Sequence, residues 1–515
     1  MRPIVLAIFF SLFFLSTTPA NGKEPPEPPG GKPASTVQFV PYSIVSPWGV
    51  AVVPARLGRL AVPENRATGS PRTISLAFVR IPTTARRPGS PIVWLAGGPG
   101  WSGTADLETP LLRLLLELRV LGDVIVLDQR GTGLSSPRLD CPGRIDFPRD
   151  VPLDRPRALA GLEAGAKTCA EHWRSRGVDL SAYNTRESAE DLEDLRQALG
   201  ADRLRLLAGS YGTHLALAAI RAHGARIENA ALIGVVGPDH LRRVPSSTER
   251  QLEEIARLVS RDPGLAPRIL DLKGLVRRVR DRLDSHPVTV DLETREAGRV
   301  SVAIGKFDME WYARGLLSSR ETIARLPAVS AAMDAGDFRE LGAAALAWRS
   351  SPIPPAPVFT MRCASGASRD RAARIAAERE GAILGDAADL AEERICRAWG
   401  IEPLPENFRS PVVSDVPALF VSGTLDGDTP EANADEVAPG FRNGSRLVIE
   451  GGAHGLLALE DRAARGALLR FFETGRARPQ RLPMSALAFE TVPSPRPALL
   501  AGGVSASLAL FGGNP

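Results

Sequence analysis

Ser210 stands in the run Ala208-Gly209-Ser210-Tyr211-Gly212, a serine set among small residues. The run follows the apolar stretch Arg203 to Leu207, which reads as a strand, and precedes Thr213 to His223, which reads as a helix. A sharp strand-to-helix turn lifts the hydroxyl clear of a sheet and sets it at a helix N-terminus, the placement a nucleophile needs. Ala208 stands where such turns often carry Gly, and a methyl group is expected to fit there. A serine nucleophile needs a base, and the base needs an orienting carboxylate. There are six His, and His454 lies on the loop Gly451-Gly452-Ala453-His454-Gly455 just past the strand-like run Arg446 to Ile449. His172, His214, His223, His240 and His286 fall in or beside helical or cap segments and read as structural. Two carboxylates, Asp426 and Asp428, follow the strand-like run Ala418 to Ser422. Asp428-Thr429-Pro430 reads as a helix start, with Thr429 as N-cap and Pro430 in the first turn, which gives Asp428 a structural task. Asp426 is therefore the expected acid, and the 28 positions from it to His454 hold one helix and one strand.

Attack of a hydroxyl on a carbonyl leaves an oxyanion that preorganised N–H groups must hold. The backbone of Tyr211 supplies one expected donor. Gly97-Gly98-Pro99-Gly100, after the strand-like Pro91 to Leu95, supplies the other, with Gly98 preferred and Gly97 second. No Lys follows for a P-loop and no G-x-G-x-x-G spacing occurs here, so a phosphate site is a poor fit. No C-x-x-C occurs, which argues against zinc, and neither a metal nor a cofactor is expected. Asp128 and Arg130, in a Gly-rich turn, read as a structural ion pair.

The elements that must position these groups alternate strand and helix, the pattern of a parallel sheet. Asp123 to Leu127 and Ala230 to Val236 add strands, residues 51–82 read as an antiparallel hairpin or meander, and 185–200 have a helical period that stops at Gly200. The expected fold is α/β-hydrolase-like: a mostly parallel central sheet, with a large mainly helical cap inserted before the last two core strands. The expected segments are a signal peptide over 1–20, a Pro/Gly-rich linker over 21–36, core over 37–237, a helical cap over 238–409, core over 410–475 and a loosely ordered tail over 476–515. The signal rests on Arg2, the twelve-residue run Ile4 to Leu15, apolar except for Ser11, and the small residues up to Ala20. A twelve-residue run falls short of the roughly twenty that span a bilayer, so no stable membrane anchor is expected. Export to an oxidising compartment makes the pairs Cys141–Cys169 and Cys363–Cys396 the favoured disulfides, 28 and 33 positions apart. The net charge is +4 from 63 basic and 59 acidic residues, and all but five of the basic ones are Arg. Arg alternates with Asp and Glu throughout, unlike the one-sided basic face of a nucleic-acid binder.

Gly97-Gly98-Pro99-Gly100, Asp128-Gln129-Arg130-Gly131-Thr132-Gly133-Leu134-Ser135 and Gly209-Ser210-Tyr211-Gly212-Thr213 together resemble the prolyl aminopeptidase and tripeptidyl aminopeptidase family of serine α/β-hydrolases. Ser422-Gly423-Thr424-Leu425-Asp426 with Thr429-Pro430, and Val62-Pro63-Glu64-Asn65-Arg66, resemble the tripeptidyl branch. The resemblance implies a triad of Ser210, Asp426 and His454, no metal, and release of residues from peptide N-termini. The sequence departs from the family at Ala96, where prolyl aminopeptidases carry His. It also departs at Ala364-Ser365-Gly366 after Cys363, where a carboxylate for the substrate amine would be sought; Glu392 and Glu393 lie nearby. The expected function is a secreted or periplasmic serine hydrolase acting near peptide N-termini. A carboxylesterase acting on small esters is the alternative, and a non-catalytic binding protein on this fold a further one.

Overall fold

The computed structural model describes residues 37–47, 52–294, 298–387, 389–390, 393–454 and 461–491. The expected signal peptide and linker, Glu392, Gly455 and the end of the tail lie outside the described residues.

The strands in chain order are β1 Gln38–Val45, β2 Val52–Pro63, β3 Thr73–Ile81, β4 Ile92–Leu95, β5 Val124–Asp128, β6 Arg144–Asp146, β7 Leu204–Gly209, β8 Ile227–Ile233, β9 Val288–Thr294, β10 Gly298–Ile304, β11 Ser350–Pro352, β12 Ala418–Gly423, β13 Gly444–Glu450 and β14 Gln480–Pro483. Ten of them form one sheet in the order β1-β2-β3-β5-β4-β7-β8-β12-β13-β14. β1, β2, β3 and β5 pair antiparallel, and every pairing from β5 to β14 is parallel. The central parallel strands are buried along their whole length, as in Ile92–Leu95, Leu204–Gly209 and Ala418–Gly423. Strands covered on both faces carry continuous apolar runs, which is why these segments were readable without alternation.

Helices cover the sheet where the sequence caps them. Asn184 accepts from the Glu187 N–H at 3.0 Å and starts the helix Thr185–Ala198. Gly200, at φ +64°, ends it in a conformation that glycine adopts at no steric cost. Trp94, Leu112, Leu115, Phe471 and Phe472 fill one face of the sheet, and Leu95, Leu206, Leu215 and Phe420 the other.

Between β8 and β12 the chain is mostly helical, with helices Pro245–Val259, Leu272–Ser285, Lys306–Leu316, Arg320–Asp334, Arg339–Arg349, Ala356–Ser365, Arg369–Arg379 and Glu393–Trp399. The insertion also holds the antiparallel hairpin β9–β10, and β11, which pairs with β6 from the first half of the chain. Three strands, not two, follow the insertion. The expected loose tail contributes β14, parallel to β13, because Leu482 and Met484 pack on the apolar face that carries Phe471 and Phe472. Disulfides join Cys141 to Cys169 and Cys363 to Cys396. No helix among the described residues is long and apolar enough to cross a membrane.

Candidate active site

Ser210 caps the helix Tyr211–His223 directly after β7, at φ +51° and ψ −123°. It is the only described residue other than glycine with a positive φ. Such strain costs on the order of 1–3 kcal/mol and is held only where the surroundings enforce it. Two close approaches enforce it here. A Cβ at Gly212 would lie 2.0 Å from the Leu95 carbonyl oxygen, and one at Gly209 would lie 2.8 Å from the Trp94 ring. The Ser210 N–H donates to the Ile233 carbonyl at 2.8 Å, which fixes the turn against β8.

The loops after β12 and β13 are locked together. The Leu425 N–H donates to the Gly452 carbonyl at 2.8 Å, and the Gly451 N–H donates to Thr424 Oγ1 at 2.8 Å. This brings His454 Nδ1 to 3.2 and 3.1 Å from the two Asp426 carboxylate oxygens. Asp426 also accepts from the backbone N–H groups of Asp428 and Thr429, at 2.9 and 2.8 Å, and from the Thr429 hydroxyl. Burial pushes the Asp426 pKa up, but the His454 charge and the hydrogen bonds outweigh it and hold the carboxyl below its ordinary value. Asp426 reaches over the end of β8: a Cβ at Gly234 would lie 3.7 Å from Asp426 Oδ2.

Asp428 does a different job. Its carboxylate pairs with Arg243 at 3.1 Å and with Arg314. Thr429 is not the helix N-cap; Pro430 holds that position, before Glu431–Val437, and the Thr429 side chain is turned to Asp426 instead. The helix-cap task expected for Asp428 is thus replaced by an ion-pair task.

Of the two glycines expected at the oxyanion position, Gly97 is the one against the serine: a Cβ there would lie 3.1 Å from Ser210 Cβ and 3.7 Å from its hydroxyl oxygen. Gly98, at φ +106°, faces the backbone N atoms of Gly100 and Trp101, and its carbonyl accepts from Arg362 at 3.3 Å. The Tyr211 N–H lies at the start of its helix. The Tyr211 side chain is buried and begins a chain of hydrogen bonds whose direction one carbonyl fixes. Gly237 O can only accept, so His214 Nδ1 donates to it at 3.0 Å, and His214 Nε2 accepts from Ser365 Oγ at 3.0 Å. Ser365 then accepts from Thr185 at 3.2 Å, and Thr185 accepts from the Tyr211 hydroxyl at 2.8 Å. Burial pushes the His214 pKa down to about 4, which keeps the ring neutral. His223 meets Glu190, His240 meets Glu436, His172 meets Arg176 and His286 meets Ser285. These contacts are with groups other than Ser210 and Asp426.

Asp128 and Arg130 are both structural but are not each other's partners. Asp128 accepts from Ser102, Thr104 and Leu134. Arg130 is fully buried, grips Asp191 at 2.6 and 2.8 Å, and donates to the Glu64 and Ala182 carbonyls. Arg66 reaches the same Asp191 and Glu187, so the Pro63-Glu64-Asn65-Arg66 segment clamps the antiparallel strands to the helix Thr185–Ala198. Glu393 is exposed and pairs with Arg397 at 2.7 Å.

A model of the alpha/beta hydrolase fold matches residues 90–265, and a model described as TAP-like protein matches residues 384–481. The first spans Ser210 and the second spans Asp426 and His454.

The chain has the α/β-hydrolase fold.

The chain is 30% identical over 223 residues to the serine protease Hip1 of Mycobacterium tuberculosis, covering 41% of each chain. It is 30% identical over 201 residues to a tripeptidyl aminopeptidase of Streptomyces lividans, covering 37% of this chain and 34% of that one. The chain thus spans about two fifths or less of the curated relatives it matches. Among solved structures, an esterase from Thermogutta terrifontis aligns at TM-score 0.37 and 17% identity, over 81% of this chain and 99% of that one. A proline iminopeptidase of Mycobacterium smegmatis aligns at TM-score 0.36 and 14% identity, over 81% and 98%.

Sequence reasoning missed three contributors to the site: Thr429 as a partner of Asp426, Arg362 against the Gly98 carbonyl, and Asp106 behind Trp94 and Trp101. Arg362 and Asp106 lie in no recognisable motif, and the signal for Thr429 was read as a helix cap.

Proposed function

We propose that this hydrolase cleaves amide bonds near the N-termini of peptides through a Ser210 acyl-enzyme. The observation that carries the reading is the Asp426–His454 pair, with Asp426 over the end of β8, the strand whose Ile233 carbonyl anchors the strained Ser210 turn. Because Asp426 accepts the proton on Nδ1, Nε2 of His454 is left as the base. The Ser210 hydroxyl gives its proton to Nε2 as Oγ bonds to the substrate carbonyl carbon. The oxyanion that forms is met by the Tyr211 N–H and the Gly97 turn. Collapse breaks the amide bond, and His454 returns the proton to the leaving amine. Water then repeats the cycle in reverse and frees the acid. The TAP-like segment and the peptidase relatives support a peptide substrate. Two disulfides support export to an oxidising compartment.

One observation favours a second reading, hydrolysis of small esters. Buried Arg243 and Arg314 lie within electrostatic range of Asp426, and Arg362 of Tyr211. Burial, with the neighbouring Arg243, pushes Arg314 and Arg362 down to about 9. Guanidinium groups crowded this way oppose a substrate α-ammonium. The two readings separate on a panel of peptidyl naphthylamides, free and N-acetylated, run beside p-nitrophenyl esters. The peptidase reading expects acetylation to lower kcat/KM at least about tenfold. Equal rates on free and acetylated peptides, with faster ester cleavage, would leave the esterase.

A further inference from the structure

We propose that Asp106 is a positioning residue for the oxyanion turn, its carboxylate tying both ends of Gly97-Gly98-Pro99-Gly100 through Trp94 and Trp101. The proposal rests on the acyl-transfer reading above. Trp94 is the third residue of β4 and precedes the turn; its Nε1–H donates to Asp106 Oδ2 at 2.7 Å. Trp101 follows the turn directly; its Nε1–H donates to Asp106 Oδ1 at 3.0 Å. Each carboxylate oxygen therefore holds one end of the loop. The Trp94 ring also supports the nucleophile turn, since a Cβ at Gly209 would meet it at 2.8 Å. The distance between Gly97 and Ser210 is set from below by groups that meet at this one carboxylate.

The base that carries Asp106 is itself fixed. Asp106 lies in the short helix Thr104–Glu108. Asp128, at the end of β5, accepts from Ser102 Oγ at 2.9 Å and from the N–H and hydroxyl of Thr104 at 2.9 and 2.7 Å. A Cβ at Gly103 would lie 2.3 Å from the Leu127 carbonyl oxygen, so this segment is pressed against the strand end. Asp106 is buried, and burial pushes its pKa up to about 7, against the pull of the two indole hydrogen bonds and with Asp128 adding to the rise. An acid here costs folding energy. What it contributes is two fixed acceptors at the geometry the turn needs.

Asp106→Asn offers one acceptor in place of two and releases one indole. Loss of a whole oxyanion donor costs about 10²–10³ in kcat, so displacing the turn is expected to lower kcat at least about tenfold. KM for a p-nitrophenyl ester should stay within about twofold, because the ground-state carbonyl makes little use of the turn. The inhibition constant of an alkyl trifluoromethyl ketone, whose hemiketal oxygen occupies the same place, should rise by the factor that kcat/KM falls. A merely structural role would lower the melting temperature without that proportion. Should Asp106→Asn not fold, Trp101→Phe and Trp94→Phe each remove one N–H and keep the ring, and each is expected to lower kcat several-fold. Mass-spectrometric detection of a fluorophosphonate on Ser210 of the unaltered protein separates the two claims. No adduct there would overturn the acyl-transfer reading. An adduct, with unchanged kcat and ketone inhibition in the folded Asp106 or both Trp variants, would overturn the clamp.

Discussion

At the rim of the sheet, Ser210, Asp426 and His454 are placed by backbone. A positive φ, a carbonyl 2.0 Å from where a Gly212 Cβ would stand, and two loops hydrogen-bonded to each other leave the side chains little choice. In the insertion between β8 and β12, charged side chains are placed by one another. Arg243 and Arg314 share Asp428, and Arg242 holds Asp389 at 2.8 Å. The rim uses short, local constraints that leave a motif in the chain. The insertion uses partners up to 264 positions apart, which leave none. Chemistry is therefore expected to be concentrated at the rim, and stability to be exposed to single charge losses in the insertion.

The sharpest way to break that division is Ser210→Ala. Loss of the nucleophile is expected to lower kcat by at least about 10⁴-fold, as in a serine hydrolase acting as a unit. The fold should persist, because alanine meets the same φ +51° constraint as serine. Circular dichroism with ester and naphthylamide turnover checks both halves. Near-normal turnover in the folded variant would remove Ser210 from the chemistry.

Asp426 and Asp428 sharpen the comparison within three residues. Asp426→Asn is expected to lower kcat by up to about 10⁴-fold through loss of the imidazole's orienting acceptor. Asp428→Asn should leave the chemical step closer to normal but destabilise the protein by about 3–5 kcal/mol, since Arg243 and Arg314 lose their shared buried counter-charge. Urea unfolding and steady-state kinetics on both variants decide it. If Asp428→Asn proves the more damaging to kcat, the acid has been misassigned.

The same division governs how much was legible. The parallel strands were readable because burial on both faces makes each a continuous apolar run. That Ser210, Asp426 and His454 each stand after a parallel strand of the sheet was readable from the same runs. Both disulfide pairings followed from spacing. The preference for Gly98 over Gly97 was not decidable, because adjacent glycines carry no side chain to mark which one faces the serine. The hairpin β9–β10 carried its signal, alternation through Val288-Thr289-Val290-Asp291-Leu292 and Val300-Ser301-Val302, but it lies inside a helical stretch and was overlooked. β14 was lost for a physical reason: four residues at a sheet edge, one of them Pro, have too little pattern of their own, and their partner strand decides them. Asp106 left no mark either, since its two indole partners are named only by the fold.

The smallest expected effect tests the point where rim and insertion meet. The hydrogen bonds from the Tyr211 hydroxyl through Thr185 and Ser365 to His214 end on the Gly237 carbonyl, and they need His214 Nε2 as an acceptor. Protonation there turns the acceptor into a donor aimed at a hydroxyl, in a fully buried site. The folded-state pKa of about 4 lies below the ordinary 6.5. A His with a depressed folded pKa binds protons more readily when unfolded. Its stabilising contribution is therefore full above pH 6.5 and is lost as pH falls toward 4. The gap corresponds to about 3 kcal/mol. In urea unfolding at pH 7 and pH 4.5, His214→Gln is expected to start less stable than the unaltered protein and to lose less on acidification. Subtracting the two removes the carboxylates common to both, Asp426 included. Equal losses in the two proteins would show that His214 titrates normally, and that the contact between Tyr211 and the insertion is not held by this chain of hydrogen bonds.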